Sequence, residues 1–528
     1  MLSSCSDFLV ETPQTEVDAE SVYNSLNASK ASLAGCYAKL TAYNYTGFNY
    51  FHVLSVTSGV GVSIKANDVN LTTMNILPSD VNMTNAYKGM YEAVNSANDI
   101  IDGMKDSQLQ PVSERNRILG EAYFIRALTY FNLVRMFGPV PLIKAPVTDY
   151  ATSQVGRTPV SDVYTLIESD LSEAFTLLPE PSAKVTGHPH KYAAKALLAK
   201  VYLTRAGNDE TSTYWQSAYD AAKDVYDNGG YILVRPYANL FGSPHKNNAE
   251  SIFEVQYSSA VNSGRSTETT FPLGHTLMSN IAAEGKSWGK TRPTQRMFDM
   301  FDAEDPRREV SFVYTRYTNM FDSAKDIILY PTQKKAGTNA GLKYKQGDSE
   351  YAAWKKYYDP DMTASATNAN FVFYRYADLL LVLAEAANEI DSDDAATYLN
   401  MVLDRARDAN GDGTIDPLTE IYPLPFTGDK AAMRERIFRE RLKELTGECD
   451  EWFTVRRRWA SYLRTIMEEH NAAVDAWYAL QKITTLPKFV YKYEVTDETV
   501  QKNLLFPYPS DEINRNGKIS QDEQNYGY

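Results

Sequence analysis

Ring-bearing and amide side chains are concentrated in one short segment near the N-terminus. Residues 43–52 read Tyr-Asn-Tyr-Thr-Gly-Phe-Asn-Tyr-Phe-His, and polar residues follow at 65–70. Aromatic rings contact the apolar C–H faces of a sugar, whereas amides, carboxylates and guanidinium groups bind its hydroxyls. The segment predicts a sugar-binding surface, with core packing as the alternative for each ring and above all for Tyr43 and Phe51. The predicted contact residues are Tyr45, Phe48, Asn49, Tyr50, Asn67 and Asp68.

A second candidate region surrounds Trp288, where Lys286, Lys290 and Arg292 stand close to a single large ring. We predict that Trp288 and Arg292 contact the same ligand, and we add Tyr87 to the ligand-binding set. Each stacked ring contributes about 0.5–1.5 kcal/mol, by analogy with aromatic pairs. Several rings with hydrogen bonds would give weak capture, roughly millimolar to micromolar.

An acidic, glycine-containing segment at 408–416 has the spacing of a calcium loop. Such loops place oxygen donors at positions 1, 3, 5, 7 and 9 and a glycine at position 6, which Gly413 supplies. Thr419 stands where a bidentate Glu is usual, and Glu420 comes one residue later. We predict a structural calcium ion, with a solvated Asp/Gly turn as the alternative, and no required cofactor. The predicted ligands are Asp408, Asn410, Asp412, Thr414, Asp416 and Glu420.

Residue patterns of catalysis are poorly represented. The six histidines are scattered, and neither a His-Glu-x-x-His, a Gly-x-Ser-x-Gly nor a phosphate-binding glycine loop occurs. Glu440, Glu444 and Glu448 are spaced by four, which we interpret as a helix face paired with Arg441 and Lys443. The prediction is a protein that is not an enzyme.

Charge and composition exclude other classes. The net charge of −14 opposes binding to nucleic acid, which requires clustered Lys and Arg on phosphates. No stretch approaches the roughly 20 apolar residues that cross a bilayer. Three cysteines are too few for a disulfide framework. Cys36 and Cys449 are either buried thiols or bridged.

The third cysteine, Cys5, follows Leu2, Ser3 and Ser4. That order is the end of a bacterial lipobox, in which the cysteine receives lipid, and a chance cysteine is the alternative. We predict lipidation of Cys5, which would anchor the protein to a membrane without crossing it.

Helical periodicity dominates both ends of the chain. It predicts a mainly α fold: a tetratricopeptide (TPR)-like helical-repeat scaffold with an irregular, loop-rich ligand-binding lobe and minor β structure. The clearest segments are 81–104, 113–137, 159–178, 191–205, 214–228, 376–390 and 395–409, with a strand at 251–257. The predicted regions are 1–18 (lipobox remnant and tether), 19–250 (helical, with an aromatic-rich loop at 41–75), 251–370 (irregular lobe) and 371–528 (helical, with an extended tail).

Several motifs in this order resemble the SusD/RagB family. They are Cys5-Ser6-Asp7-Phe8-Leu9, Gly120–Leu128 with Phe137–Leu142, Asn247–Glu254, Asp305-Pro306-Arg307, Tyr374–Leu381, Glu440–Leu445 with Trp452-Phe453, and Leu505–Pro509 with Glu512-Ile513-Asn514. The resemblance implies a cell-surface lipoprotein of the outer membrane that binds glycans or peptides, is not a catalyst, and covers a TonB-dependent (SusC-like) transporter. Tyr87 stands where the family commonly has Trp, and Val94 where it has Ile.

Glycan capture for transport is thus the leading hypothesis. Peptide capture by the same fold, a helical glycosidase or lyase, and a TPR scaffold for protein partners are the alternatives.

Overall fold

The structure is a computed structural model that describes residues 19–63, 65–258, 291–313, 316–318, 326–328, 352–357, 367–480 and 490–528. Trp288, Lys286, Lys290 and Cys5 lie outside these residues. The α-helices of the described residues are α1 (Ala19–Asn24), α2 (Leu26–Thr41), α3 (Asn49–Val56), α4 (Val69–Thr72), α5 (Val81–Gly103), α6 (Val112–Phe137), α7 (Tyr150–Ser153), α8 (Val160–Leu177), α9 (Lys191–Ala206), α10 (Tyr214–Asn228), α11 (Gln295–Asp299), α12 (Pro306–Ser311), α13 (Tyr376–Glu389), α14 (Ala395–Arg407), α15 (Lys430–Glu444), α16 (Glu451–Arg457), α17 (Trp459–Leu480), α18 (Asp497–Lys502) and α19 (Ser510–Arg515).

The strands of the described residues pair only two at a time and are antiparallel. They are β1 (Gly61–Ser63), β2 (Val140–Pro141), β3 (Arg157–Thr158), β4 (Ser251–Val255), β5 (Thr291–Pro293), β6 (Phe312–Val313), β7 (Arg316–Thr318), β8 (Asp326–Ile328), β9 (Ala353–Trp354) and β10 (Phe371–Arg375). β1 pairs with β5, and β4 pairs with β10. These ribbons are too small to be stable alone, so the helices must support them.

The predicted helices are confirmed to within a few residues, because local signals define their ends. The Asp80 carboxylate accepts the Asn82 and Met83 backbone N–H groups at 2.9 Å and begins α5. Gly138 (φ +72°) ends α6, and Gly207 (φ +57°) ends α9, since both adopt the left-handed backbone that glycine tolerates.

Small residues allow the helices to pack closely in antiparallel pairs. Ala193, Ala196 and Ala199 on α9 are fully buried, as are Ala218 and Ala222 on the facing α10. This pairing of α9 with α10, and later of α13 with α14, is the TPR-like arrangement that the sequence predicts. One hydrophobic core cluster runs through both helical regions, from Tyr23 on α1 to Tyr508 near the C-terminus.

A buried charge network joins the motifs that carry the family resemblance. Glu444 on α15 accepts hydrogen bonds from Arg375 at 2.7 Å, from Arg307 at 2.9 Å and from Arg405. Arg375 and Arg405 also share Glu250, at 2.8 and 2.6 Å. Burial alone would raise the pKa of Glu444, but the three guanidinium groups outweigh burial and hold that pKa far below its usual range. The network therefore connects Glu250, the residue before β4, with β10, α12, α14 and α15.

The contacts of the α15 glutamates correct the interpretation that these residues pair with Arg441 and Lys443. Glu440 and Glu444 pair with Arg307 from a distant segment rather than with Arg441 and Lys443, and Glu440 also lies 3.6 Å from Arg436 on its own helix. Arg441 instead binds Asp378 at 2.7 Å and Asp450 at 2.9 Å.

Cys36 and Cys449 are both buried, free thiols. None of the helices in the described residues combines the length and apolar character that a membrane crossing needs.

Candidate ligand-binding site

A tight turn after α2 determines which rings of the 43–52 segment reach the surface. Residues 43–47 form a π-helical turn in which the Tyr45 and Gly47 backbone N–H groups both donate to the Ala42 carbonyl at 2.9 Å. A Cβ on Gly47 would lie 2.7 Å from that carbonyl oxygen, so the turn needs glycine there. Thr46 is buried and contacts the Tyr257 hydroxyl at 2.8 Å.

Three rings stack in this segment. The Tyr43 and Phe48 ring centroids are 5.1 Å apart with planes 14° from parallel, and the Phe48 and His52 centroids are 4.9 Å apart at 15°. Tyr43 and Phe48 are half-buried, whereas His52 is buried. Partial burial raises the pKa of the Tyr43 hydroxyl, so this group is a neutral phenol at neutral pH. The stack therefore runs from the surface into the protein and presents partly exposed rings.

The inner end of the stack is held by a polar cluster. His52 Nε2 lies 3.0 Å from Asp68 Oδ2, and the Ser63 hydroxyl donates to the same oxygen at 2.7 Å. Burial raises the pKa of Asp68, but the hydrogen bond and charge of His52, with the Ser63 hydrogen bond, outweigh burial and lower the pKa overall. Lys65 Nζ approaches the other oxygen at 3.8 Å, and Asn67 beside it is exposed. Asp68 thus positions His52 and Lys65 rather than facing solvent.

The β1–β5 ribbon extends this site towards the second candidate region. Ser63, which holds Asp68, is the last residue of β1, and its register partner is Thr291. Arg292 lies opposite Val62 and is 2% exposed. The ribbon therefore brings residue 292 beside the stack's polar cluster, although Arg292 is buried. The prediction for Trp288 falls outside the described residues.

Asp68 and Arg292 are each 2% exposed, and burial corrects four further predicted contact residues as well. Tyr45 is fully buried with its hydroxyl accepting from Asn132 at 2.9 Å, and Tyr50 packs edge-on against it at 5.3 Å. Asn49 is 1% exposed and donates to the Tyr43 carbonyl at 3.1 Å. Tyr87 is 5% exposed among core rings. These side chains support the turn or fill the core, so they do not contact a surface ligand.

Tyr43 was expected in the core, but the structure places it half-exposed on the stack. Tyr43 and Phe48 are five residues apart, which is the spacing of a π-helix and not of an α-helix. Counting at a period of 3.6 residues therefore does not align these two rings. Phe51 is buried, as predicted. Phe48 and Asn67 keep their predicted exposure, and whether they bind a ligand stays a prediction.

The predicted calcium loop is folded by hydrogen bonds to its own carboxylates. Asp408 is buried and accepts the Gly411 and Gly413 backbone N–H groups at 2.7 and 3.0 Å, while Arg235 pairs with it at 2.5 Å. Glu420 accepts the Ala409 and Asp416 N–H groups. Asp412 and Asp416 are exposed, with pKa values lowered by hydrogen bonds to neighbouring residues. Within the described ranges, no group of three or more His, Cys, Asp or Glu side chains is arranged to hold a metal ion.

The calcium prediction has a direct test, because the outer donors Asp412 and Asp416 are exposed. We expect added calcium to raise the melting temperature of the wild-type protein, and a chelator to reverse the rise, because an ion that binds only the folded state stabilises it. The Asp412→Ala/Asp416→Ala variant should show no rise. Calorimetry without and with calcium checks both. An unchanged wild-type transition would assign Arg235 as the cation that neutralises Asp408.

The fold and the site together define a TPR-like helical-repeat protein with a ring stack on a loop at its surface. The chain belongs to the SusD family: residues 249–528 match the model described as "SusD family", and residues 7–203 match one described as "Starch-binding associating with outer membrane".

Individual relatives agree with this membership. SusD-like protein P2 of Formosa agariphila is 28% identical over 485 residues, covering 86% of this chain and 88% of the relative. The Starch-binding protein SusD of Bacteroides thetaiotaomicron is 28% identical over 157 residues, covering 30% of this chain and 26% of the relative. The crystal structure of a SusD homolog from B. thetaiotaomicron covers 98% of this chain and 99% of its own, with a TM-score of 0.79 and 21% identity. This last similarity confirms the predicted helical fold.

Proposed function

We propose that this protein is a lipid-anchored glycan-binding protein of the outer-membrane surface, which captures an oligosaccharide or polysaccharide and passes it to a TonB-dependent, SusC-like transporter. The observation that carries the proposal is the Tyr43–Phe48–His52 stack, which has two partly exposed rings and whose inner residue binds Asp68, next to Lys65 and Asn67. The family description of starch binding at the outer membrane supports it, as does the relative named a starch-binding protein.

The geometry of the stack suits weak capture of a sugar chain. A ring face offers apolar area to the C–H face of a sugar ring, while an exposed amide and an ammonium group can bind its hydroxyls. Two rings that contribute about 0.5–1.5 kcal/mol of binding free energy each give a weak affinity. The ligand can therefore be released to a transporter. The stack is rigid, because His52 is fixed by Asp68 at its inner end. Little conformational entropy is therefore lost on binding.

The rings are tested by removing them singly and together. We expect Tyr43→Ala or Phe48→Ala to weaken glycan binding about 2–13-fold, and the double variant about 5–160-fold, which follows from about 0.5–1.5 kcal/mol per ring. Isothermal titration against a panel of oligosaccharides, including maltooligosaccharides, gives the affinities. In the host, the double variant should be displayed normally but should reduce uptake of the labelled oligosaccharide.

Tyr150→Ala is the matched control, because Tyr150 is 70% exposed on α7 and belongs to no ring stack among the described residues. Its glycan affinity should equal that of the wild type. Unchanged affinity in the double variant would remove the stack from the site. Heat with peptides and none with any glycan would favour peptide capture, and turnover of a polysaccharide would establish an enzyme.

A further inference from the structure

A cavity of about 300 Å³ lies inside the molecule, away from the ring stack. Helices α6, α8 and α9 form one wall, and α15, α16 and the segment after α18 form the other. None of its lining residues belongs to the 43–70 segment or to the β1–β5 ribbon. The volume lies at the lower end of the range for small-molecule pockets. The cavity can therefore hold a molecule of about one ring.

Two residues that line this cavity carry buried hydrogen-bond donors without partners. The indole N–H of Trp452 and one guanidinium nitrogen, Nη1, of Arg441 have no acceptor among the described residues. Both side chains are at most 2% exposed. A smaller adjoining cavity of about 40 Å³ shares Arg135 and Phe453 with the larger one, and there the Tyr374 hydroxyl also has no partner. Leaving buried hydrogen-bond donors unpaired costs folding free energy, and this region supplies too few acceptors for its donors.

The charges around the cavity are also unbalanced. Asp450 is its one lining carboxylate among the described residues, and it already binds Lys200 at 2.6 Å and Arg441 at 2.9 Å. Burial raises the pKa of Asp450, but these two cations outweigh burial and hold its pKa well below the usual range. Arg457 is likewise neutralised by two hydrogen bonds to Glu385. Asp450 and Glu385 are therefore already paired with cations other than Arg135.

Arg135 and Arg456 remain without a carboxylate among the described residues. Arg456 is saturated by carbonyl groups, donating to Asn503 and Thr57 at 2.7 Å. Arg135 donates to the Phe131 carbonyl at 3.1 Å and to the Asn132 side chain at 2.6 Å.

The Arg135 guanidinium also lies between two rings, 3.7 Å from the centroid of Phe131 and 3.6 Å from that of Phe453. Burial lowers the pKa of Arg135, a cost to the charged form that Asp450, which forms no ion pair with Arg135 among the described residues, does not outweigh. An anion in the cavity would remove that cost.

The rest of the cavity wall is apolar. Leu203 on α9 is 1% exposed, and Leu504 and Leu505 follow α18 on the opposite side. The exposed Gln501 and the half-buried Thr204 lie at the rim, which gives a ligand a way in. A bare inorganic ion would leave these leucines without contacts, whereas a molecule with an apolar body would fill the space between them.

We propose that this cavity binds a small organic carboxylate with an apolar body, whose carboxylate group pairs with the partly exposed Arg135. Water would hydrate Arg135 but would not balance its charge. A metal cation would be repelled by the surrounding guanidinium groups, and a neutral sugar would leave the charge uncompensated. The site is independent of the ring stack, so its ligand is a second ligand of this protein.

The test compares butyrate, phenylacetate and phenylpropionate with their neutral amides, with inorganic phosphate and with sulfate. We expect at least one carboxylate to raise the melting temperature and to give a titration isotherm, and its amide to bind at least 10-fold more weakly. Absence of binding by all three carboxylates would refute the proposal. An equal shift from phosphate or sulfate would refute the organic ligand, and equal binding of an amide would refute the role of charge.

Variants locate the site. Leu203→Trp should fill the cavity while keeping every cation, and it should lower carboxylate affinity at least 30-fold without changing glycan affinity. If Leu203→Trp does not fold, Leu504→Trp near the rim should fill the cavity and lower carboxylate affinity in the same way. Arg135→Gln should lower carboxylate affinity at least 10-fold. The control Arg464→Gln removes a surface guanidinium that pairs with Asp497, and its affinity should be unchanged. Wild-type carboxylate affinity in both tryptophan variants would place the ligand elsewhere.

Discussion

Replacing Glu444 by Gln is expected to destabilise the protein by about 3–5 kcal/mol, the loss typical when one partner of a buried charge network is removed. Glu444 Oε1 accepts from Arg375 at 2.7 Å and from Arg405, and Oε2 accepts from Arg307 at 2.9 Å. A glutamine at this position would lose the charge that holds three guanidinium groups. Its amide N–H₂ group would also place hydrogen-bond donors against the N–H donors of the arginines.

Urea denaturation followed by circular dichroism measures this loss. Glu468→Gln on α17 is the matched control, because the Glu468 side chain is 58% exposed and its pair with Arg464 spans 3.8 Å. Surface pairs of this kind contribute about 0–1 kcal/mol. A Glu444→Gln protein within 1 kcal/mol of the control would mean that the remaining acids of the network compensate for the missing charge.

The same network shows how far the sequence predicts the fold. Periodicity and terminators are local, so the bounds of helices such as α5 (Val81–Gly103) follow from the sequence alone. The arginine partners of Glu444 lie 39 to 137 positions away in the chain, at Arg405, Arg375 and Arg307. Helix spacing places three acids on one face but carries no information about distant arginines.

The burial of individual residues in the candidate site could not be predicted from the sequence, for a physical reason. Aromatic density predicts a binding surface within 43–52, and Phe48 is partly exposed there, but six of the nine predicted contact residues are buried: Tyr45, Asn49, Tyr50, Asp68, Tyr87 and Arg292. Exposure in this segment depends on the π-helical turn, which rotates Tyr43 and Phe48 outwards and Tyr45 inwards. A turn of this type depends on Gly47 and on close packing against α5, and neither has a periodic signal in the sequence.

That packing leads to the second large expected effect, at Gly89 on α5. A Cβ at this position would lie 2.7 Å from the Asn44 carbonyl carbon, and 2.9 Å from both the Asn44 oxygen and the Tyr45 nitrogen. These are backbone atoms, so a side-chain rotation cannot relieve the contact and the 43–47 turn must move. We expect Gly89→Ala to lower stability by about 1–3 kcal/mol through overpacking. Glycan affinity should fall about 10-fold, because Tyr43 and Phe48 lose their alignment.

Gly35→Ala on α2 is the control that separates the backbone contact at Gly89 from the general effect of replacing a helical glycine by alanine. A Cβ at Gly35 meets nothing within 4 Å, so alanine there should stabilise the helix by up to about 1 kcal/mol and leave glycan binding unchanged. Thermal unfolding and titration of both variants give the comparison. Alanine would also favour α5 as a helix, so a net loss at Gly89 has to come from the turn. If Gly89→Ala were as stable as Gly35→Ala and bound glycan normally, the turn would not rest on α5, and the ring stack would need another support.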